Sequence, residues 1–285
     1  MTKGYLLFAL DTEKIDYSRL AYACAMSIRN VQMFNSRQIA LVTNNAKKIK
    51  NFKCSWVFDD IIEYQGPTGM DSRSRAYDLS PYTETVLLDS DMFFLKPMNH
   101  YWDYLENYYL YISTHPQNYK GQSFHYGFYR KVFEQYKLLD VYNAWTYFKK
   151  DERSKEFFDL VKFITDNPIP FINKFLPDSK LINLPTDEAF ALAAKILDIE
   201  DEITSIHPIV PITHMKSMVQ GWKGVGDDWT DYLRFNFNEN LEIKLGVWRQ
   251  RELLHYVNKT LINDSKMEVL EWLTLKNKVE QRTFM

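Results

Sequence analysis

The segment Val86-Leu-Leu-Asp89-Ser90-Asp91-Met-Phe-Phe94 sets two carboxylates two residues apart inside an otherwise apolar run. Alternate side chains of an extended chain share a side, so Asp89 and Asp91 fall together, with Cα atoms about 6–7 Å apart. Two like charges placed this way repel unless they diverge into water or share a cation. A hard divalent ion satisfies them and keeps positions open for diphosphate oxygens. A polar turn held by Asx hydrogen bonds accounts for the same tripeptide. From these residues alone both readings stand.

Other catalytic templates are missing. No G-x-x-x-x-G-K-[ST] phosphate loop and no G-x-S-x-G nucleophile elbow occurs. Gly224-Val-Gly226 precedes Asp227-Asp228 instead of following a buried strand, so it does not read as a dinucleotide fingerprint. A glycosidase needs two carboxyl groups at least about 5 Å apart across a sugar, usually from separate elements. A D-x-D pair does not supply that.

The elements that must position the pair can be read from hydrophobic pattern. Tyr5–Leu10, Ile39–Thr43, Phe58–Tyr64 and Thr85–Asp89 are short apolar runs suited to buried strands. Between the first two, Leu20, Cys24, Ile28 and Val31 recur at helical spacing behind Ser18. A short helix is expected over Ser72–Leu79. This strand–helix alternation predicts a mainly parallel α/β sheet flanked by helices, with Asp89 and Asp91 at the carboxyl end of a strand, where such sheets bind ligands. Further on, Pro97–Asn107, Ser154–Thr165 and Thr186–Leu197 read as helices, and Tyr108–Ser113 and Val141–Phe148 as strands. Val247–Val279 reads as one or two helices. The expected division is a catalytic domain over 1–246 and a helical C-terminal extension over 247–285.

Composition narrows the class. The 285 residues carry 35 Lys and Arg against 37 Asp and Glu, a net charge of −2, so no global basic field gathers nucleic acid. Hydrophobic residues at 46% and aromatic ones at 16% exclude a disordered chain. The two cysteines, Cys24 and Cys54, form no zinc spacing and no disulfide framework, which suits a reducing compartment. No apolar run approaches the ~20 residues of a membrane helix. A cytoplasmic protein without a membrane span is expected.

The surroundings of the tripeptide carry a resemblance. Arg73-Ser-Arg75-Ala-Tyr77-Asp-Leu79-Ser-Pro-Tyr82, running on to Thr85-Val-Leu-Leu-Asp89-Ser-Asp91, resembles the core of the glycogenin- and galactosyltransferase-type (family 8) GT-A glycosyltransferases. Three more segments follow in the family's order. Tyr17-Ser-Arg-Leu-Ala21 to Ser27-Ile-Arg29 is similar to its first helix, Thr186-Asp187-Glu188 to its Asp-Gln pair, and His214 to Trp222 keeps its His and Trp eight residues apart. The matching segments lie within residues 5–222.

That resemblance implies a GT-A (Rossmann-like) fold and a retaining transferase that uses a nucleotide sugar, often UDP-linked, with Mn²⁺ (or Mg²⁺). It implies Asp89, Asp91 and His214 as metal ligands; an imidazole beside two carboxylates suits Mn²⁺ better than Mg²⁺. Ala9, Leu10 and Asp11 would hold the base and Tyr17 would cover its ring. Arg73, Arg75, Ser90 and Asn143 would face diphosphate or sugar. Asp187 and Glu188 would position the donor sugar or shield its developing charge. Trp222 would complete the donor pocket.

The sequence departs from the family at three points. Asn143-Ala144-Trp145 stands where the family has Asn-Ser-Gly. Gln220 stands where a phosphate-facing Lys is expected, with Lys216 or Lys223 as replacements. Glu188 replaces a Gln and adds negative charge beside the sugar. Two other readings remain open: a non-catalytic nucleotide-sugar-binding protein, and a nucleotidyltransferase, against which the glycine-free Ala9-Leu-Asp-Thr-Glu-Lys14 counts. The acceptor is open among glycan, protein and modified DNA base. A DNA acceptor would draw on Lys47-Lys48-Ile-Lys50 and on Tyr119-Lys120 with Tyr129-Arg130-Lys131, where basic residues neighbour aromatics.

Overall fold

The computed structural model describes residues 2–32, 37–66, 70–123, 130–222, 229–238 and 240–283. The chain begins with β1 (Lys3–Ala9), α1 (Tyr17–Val31), β2 (Gln38–Thr43), α2 (Ala46–Lys50), β3 (Asp60–Glu63), α3 (Ala76–Leu79) and β4 (Glu84–Leu88). Then follow β5 (Met92–Phe93), α4 (Asn99–Leu105), β6 (Leu110–Thr114), α5 (Lys131–Tyr136) and β7 (Val141–Lys149). The last third holds α6 (Glu152–Asp166), α7 (Pro168–Phe175), α8 (Thr186–Leu197), β8 (Ile212–His214), β9 (Phe235–Phe237), β10 (Ile243–Leu245), β11 (Trp248–Arg249), β12 (Leu253–His255) and α9 (Asp264–Thr283).

The main sheet has the order β3-β2-β1-β4-β7-β6. Its first four strands are parallel and the last two pair antiparallel. β1 and β4 are buried along nearly their whole length, which is why their sequences are continuous apolar runs and not alternating ones. One core cluster packs α1 and α9 on one face; α6 and α8 pack the other through Phe157, Phe158, Phe190 and Leu192. Gly4 is fixed by that packing: a Cβ there would lie 2.2 Å from the Tyr82 ring, which no side chain tolerates.

Helix α1 is capped by Asp16 and not by Ser18, and α8 starts after Pro185 with no side-chain cap there and is not capped by Thr186, because Ser18 and Thr186 already lie inside their helices. The Asp16 carboxylate accepts from the Arg19 amide at 2.9 Å and opens α1, and Asp151 accepts from Ser154 at 2.8 Å and opens α6. The short helix before β4 is a 3₁₀ turn over Met70–Arg75 running into α3.

The C-terminal segment corrects the sequence reading. Helix α9 begins at Asp264; before it, residues from Val247 onward form β11 and β12. β12 is the middle strand of a second sheet, β5-β12-β8, antiparallel to β5 and parallel to β8. Short, apolar and isolated by sequence, Leu253–His255 has no periodicity of its own, and its strand form depends on two partners far away in the chain. The remaining hairpin sheet has the order β11-β10-β9.

Candidate active site

In the main sheet the strand order reverses at β1, which has β2 on one side and β4 on the other. In sheets of this kind the carboxyl ends of the strands at such a reversal flank the usual ligand crevice. Asp11 lies just beyond β1, and Asp89 and Asp91 just beyond β4.

Asp89, Asp91 and His255 bring their ligand atoms within 4.8 Å of one another. His255 Nε2 is 3.1 Å from Asp91 Oδ2 and 3.7 Å from Asp89 Oδ2. The register explains the placement. Met92, next to Asp91, pairs with His255 across β5 and β12, and the Tyr256 amide donates to the Asp91 carbonyl at 3.1 Å. The imidazole expected in this set, His214, is its neighbour and is not part of it. His214 pairs with His255 across β8 and β12, with ring centroids 4.9 Å apart, and its Nδ1 is 2.6 Å from the Tyr142 hydroxyl. Tyr142 also hydrogen-bonds His255 Nδ1. His214 Nε2 is buried without a hydrogen-bond partner among the described residues. His255-Tyr-Val-Asn-Lys259 carried the missed signal: an imidazole and an ammonium four residues apart behind a short apolar run.

Lys259 is the second functional residue the sequence reading missed. Its Nζ is 2.6 Å from Asp91 Oδ2 and 5.7 Å from the centre of the Tyr17 ring. Arg73 ion-pairs with Asp89 and donates to the carbonyls of Leu88, at 3.3 Å, and Asn143. Each carboxylate therefore has a cation of its own. Burial by itself would push the Asp91 carboxyl up, but the charges and hydrogen bonds of His255 and Lys259 outweigh it and hold it far below the carboxylate range. Burial likewise works against protonated His255, and the Asp91 carboxylate reverses the sign and raises it. His214, buried and facing the positive charge of His255, is driven well below the ordinary histidine value.

The donor set fits a divalent cation: two carboxylates and one imidazole converge, and the imidazole's far nitrogen is fixed by Tyr142 as a supporting group would fix it. Oxygen–nitrogen sets of this kind accept Mn²⁺ and several of its neighbours.

The other expected residues divide into two groups. Ala9 and Leu10 are buried at the carboxyl end of β1, and Tyr17 opens α1. The Asp11 carboxylate accepts from the Ser18 amide and hydroxyl at 2.8 and 2.9 Å and pairs with Lys48 Nζ at 3.0 Å. Asp187 accepts from the Asn143 amide at 3.0 Å and from Arg130 at 2.8 Å, joining α8 to β7. The buried Asn143 side chain receives the Thr146 hydroxyl on Oδ1 and has no partner on Nδ2 among the described residues. Glu188 is half-buried, and burial with the adjacent Asp187 charge raises its carboxyl to about 7. Lys216 is half-buried within electrostatic reach of Glu188 and His214.

Arg75 pairs at 3.2 Å with Asp166 at the end of α6 and not with the cluster. Ser90 is buried and its hydroxyl donates to the Phe8 carbonyl, tying the acidic turn to β1. Gln220 bridges backbone groups: Nε2 donates to His214 O at 2.6 Å and Oε1 accepts from the Tyr119 amide at 3.2 Å. Trp222 stacks on Tyr232 with centroids 5.7 Å apart. Lys48 and Arg130, considered for nucleic acid, are engaged by Asp11 and Asp16 and by Asp140 and Asp187. Lys223, Gly224, Gly226, Asp227, Asp228 and Tyr129 lie outside the described residues.

No family model and no curated protein matches the sequence. Solved structures do match the fold. Mouse xyloside xylosyltransferase 1 in its apo form superposes with a TM-score of 0.53 at 10% identity, over 90% of this chain and 97% of that one. The glycosyltransferase GlyE of Streptococcus pneumoniae TIGR4 gives 0.49 at 12% identity, over 100% of this chain and 63% of that one. The galactosyltransferase LgtC, solved with donor and acceptor sugar analogs, gives 0.45 at 11%, over 66% and 69%. The chain has a GT-A-type α/β fold, with a mixed, mostly parallel sheet flanked by helices and α9 as its C-terminal helical extension. Among the described residues no helix is long and apolar enough to cross a membrane.

Proposed function

We propose that the protein is a metal-dependent glycosyltransferase that moves a sugar from a nucleotide-sugar donor, UDP-linked, to an acceptor with retention of configuration. The observation that carries this reading is the convergence of Asp89, Asp91 and His255 beyond the sheet's reversal point, with Lys259 and Arg73 against the two carboxylates. The GT-A-type fold supports it, since glycosyltransferases share that fold.

Cleaving the bond between the anomeric carbon and the diphosphate builds negative charge on the leaving phosphate. A bound divalent ion, Mn²⁺ by the donor set, would supply Lewis-acid neutralisation of that charge. Asp89, Asp91 and His255 would hold it. Lys259 takes the role expected of a phosphate-facing lysine, which Gln220 cannot fill; Arg73 adds a second fixed charge. Ala9, Leu10 and Asp11 border the base, with Tyr17 as the ring that covers it and also contacts Lys259. Asn143, through its unpartnered Nδ2, and Asp187 and Glu188 face the sugar, with Lys216 nearby. Ser90 and Gln220 support the site through backbone carbonyls, and Arg75 has no part in it. The catalytic unit extends past residue 246 to include His255 and Lys259.

Incubation with UDP-sugars and Mn²⁺ tests this reading. Released UDP, abolished by a chelator and by Asp91→Asn in a variant with unchanged circular dichroism, is the expected result. Undiminished turnover by that variant, or no nucleotide-sugar binding by the wild type, overturns it.

A further inference from the structure

Four aromatic rings form a contiguous row, two of them exposed and two, Tyr119 and Trp222, half-buried against the core. Trp248 on β11 is 45% exposed and Tyr232 is 58% exposed. Tyr232 stacks on Trp222, Trp222 lies 5.8 Å from Tyr119, and Tyr119 meets Trp248 edge-on at 6.5 Å. These rings come from separate stretches of chain, so no local sequence pattern forces them together. Large aromatic surface left in water forgoes roughly 25 cal/mol per Å² of burial. Single exposed rings are ordinary; a contiguous row marks a binding surface.

The row is held rigidly. The amide of Tyr119 donates to Gln220 Oε1 at 3.2 Å, and its carbonyl accepts from Gln250 Nε2 at 3.0 Å. Gln250 is itself buried and its amide donates to Ile243 O at 2.8 Å. Two side-chain amides thus fix the backbone beneath one half-exposed ring, an arrangement that lowers the ordering cost of capturing a ligand. The same Gln220 donates to the carbonyl of His214, whose ring neighbours His255. The row and the Asp89–Asp91–His255 cluster are one glutamine apart.

The chemistry of the row selects the ligand. Its polar groups are neutral: two phenols and two indoles. Among the described residues, the cations next in sequence to these rings are Lys120, 5.4 Å over the Tyr119 ring, and Arg249, ion-paired with Glu242. A polyanion needs cations aligned with its phosphates, and these two are already engaged. A pyranose matches instead, because its C–H face packs on aromatic rings while its hydroxyls bond to the phenol and indole edges.

We infer that Tyr119, Trp222, Tyr232 and Trp248 form the acceptor subsite of the proposed transferase, which moves Trp222 from the donor pocket expected of it to the acceptor side, and that the acceptor is a glycan whose pyranose rings stack on this row. This rests on the transferase reading and names its substrate class.

The test is saturation-transfer NMR on the full chain with Mn²⁺, using methyl glycosides of glucose, galactose and xylose, lactose, maltotriose and a short oligothymidylate as probes. Trp248→Ala and Tyr232→Ala are compared with wild type, and binding of UDP-glucose, UDP-galactose and UDP-xylose is titrated separately. The expected result is that at least one saccharide binds, that each variant weakens it about tenfold or more, and that UDP-sugar affinity is unchanged. Saccharide affinity unchanged in both variants, no saccharide binding, or binding of the oligonucleotide alone overturns the subsite. Normal UDP-sugar binding with any of those outcomes leaves the transferase reading in place; absence of UDP-sugar binding sinks that reading whatever the row does.

Discussion

His255 Nε2 stands 3.1 Å from Asp91 Oδ2, although 164 residues separate the two in the chain. The contact is built by β12, which inserts between β5 and β8 and so carries an imidazole to the end of β4.

His255 and His214 should therefore differ sharply on substitution. His255→Ala is expected to weaken Mn²⁺ binding by at least the ~100-fold that marks the upper end for losing a supporting group. His214→Phe, which removes a side chain outside the ligand set, should cost less than His255→Ala. Calorimetric titration of Mn²⁺ into both variants decides it; equal losses would return His214 to the ligand set.

Proton and metal compete for His255. Its raised pKa in the metal-free protein means that binding must displace a proton below that value, so Mn²⁺ affinity should fall about tenfold per pH unit as pH drops there. In the metal-free protein the His255 contribution to stability is complete below its ordinary value of 6.5 and is lost as pH rises through the raised folded value. The Asp91 contribution has the opposite sense: present above its ordinary 3.8 and lost only as pH falls through its lowered value. A pH series of Mn²⁺ titrations and of thermal midpoints measures both.

Lys259→Met removes a positive charge from a buried carboxylate. Lys259 is one-third exposed, so the loss should fall below the about 3–5 kcal/mol typical of a fully buried pair. Saturating Mn²⁺ should recover part of that stability by replacing the charge, while UDP affinity stays low because the phosphate-facing ammonium is gone. Thermal melts with and without Mn²⁺, paired with UDP titration, read the two effects separately.

Glu188→Gln should stabilise the protein at neutral pH. With its carboxyl raised to about 7, Glu188 favours the folded state when protonated, and that benefit is lost as pH rises from its ordinary 4.5 through about 7. The difference in melting temperature between variant and wild type should open across that window and be flat above it. A pH-independent difference would show that Glu188 acts through packing.

Arg130→Met should be the most destabilising of these changes. Its guanidinium joins the buried Asp140 to Asp187, and removing it leaves two carboxylates with one counter-charge lost, a cost of about 3–5 kcal/mol. Urea unfolding measures it.

The sequence by itself determined the β1–α1–β2 start, the apolar strand ending at Leu88, the acidic pair beyond it and the helix opening at Thr186. Each depends on short-range regularity: apolar runs for strands buried on both faces, and helical spacing. The third ligand lay outside that reach. In the sequence His214 and His255 are equivalent imidazoles, each ending a short apolar stretch, and the family resemblance, which includes the distance to Trp222, favoured the first. The three-stranded pairing of β5, β12 and β8 separates them in space: it sets His255 opposite Met92 and beside Asp91, while Tyr142 hydrogen-bonds the Nδ1 of both rings. Lys259 and the aromatic row were hidden for the same reason: charge pairing and ring contact are set by distances in space, and residues this far apart in sequence leave no periodic trace.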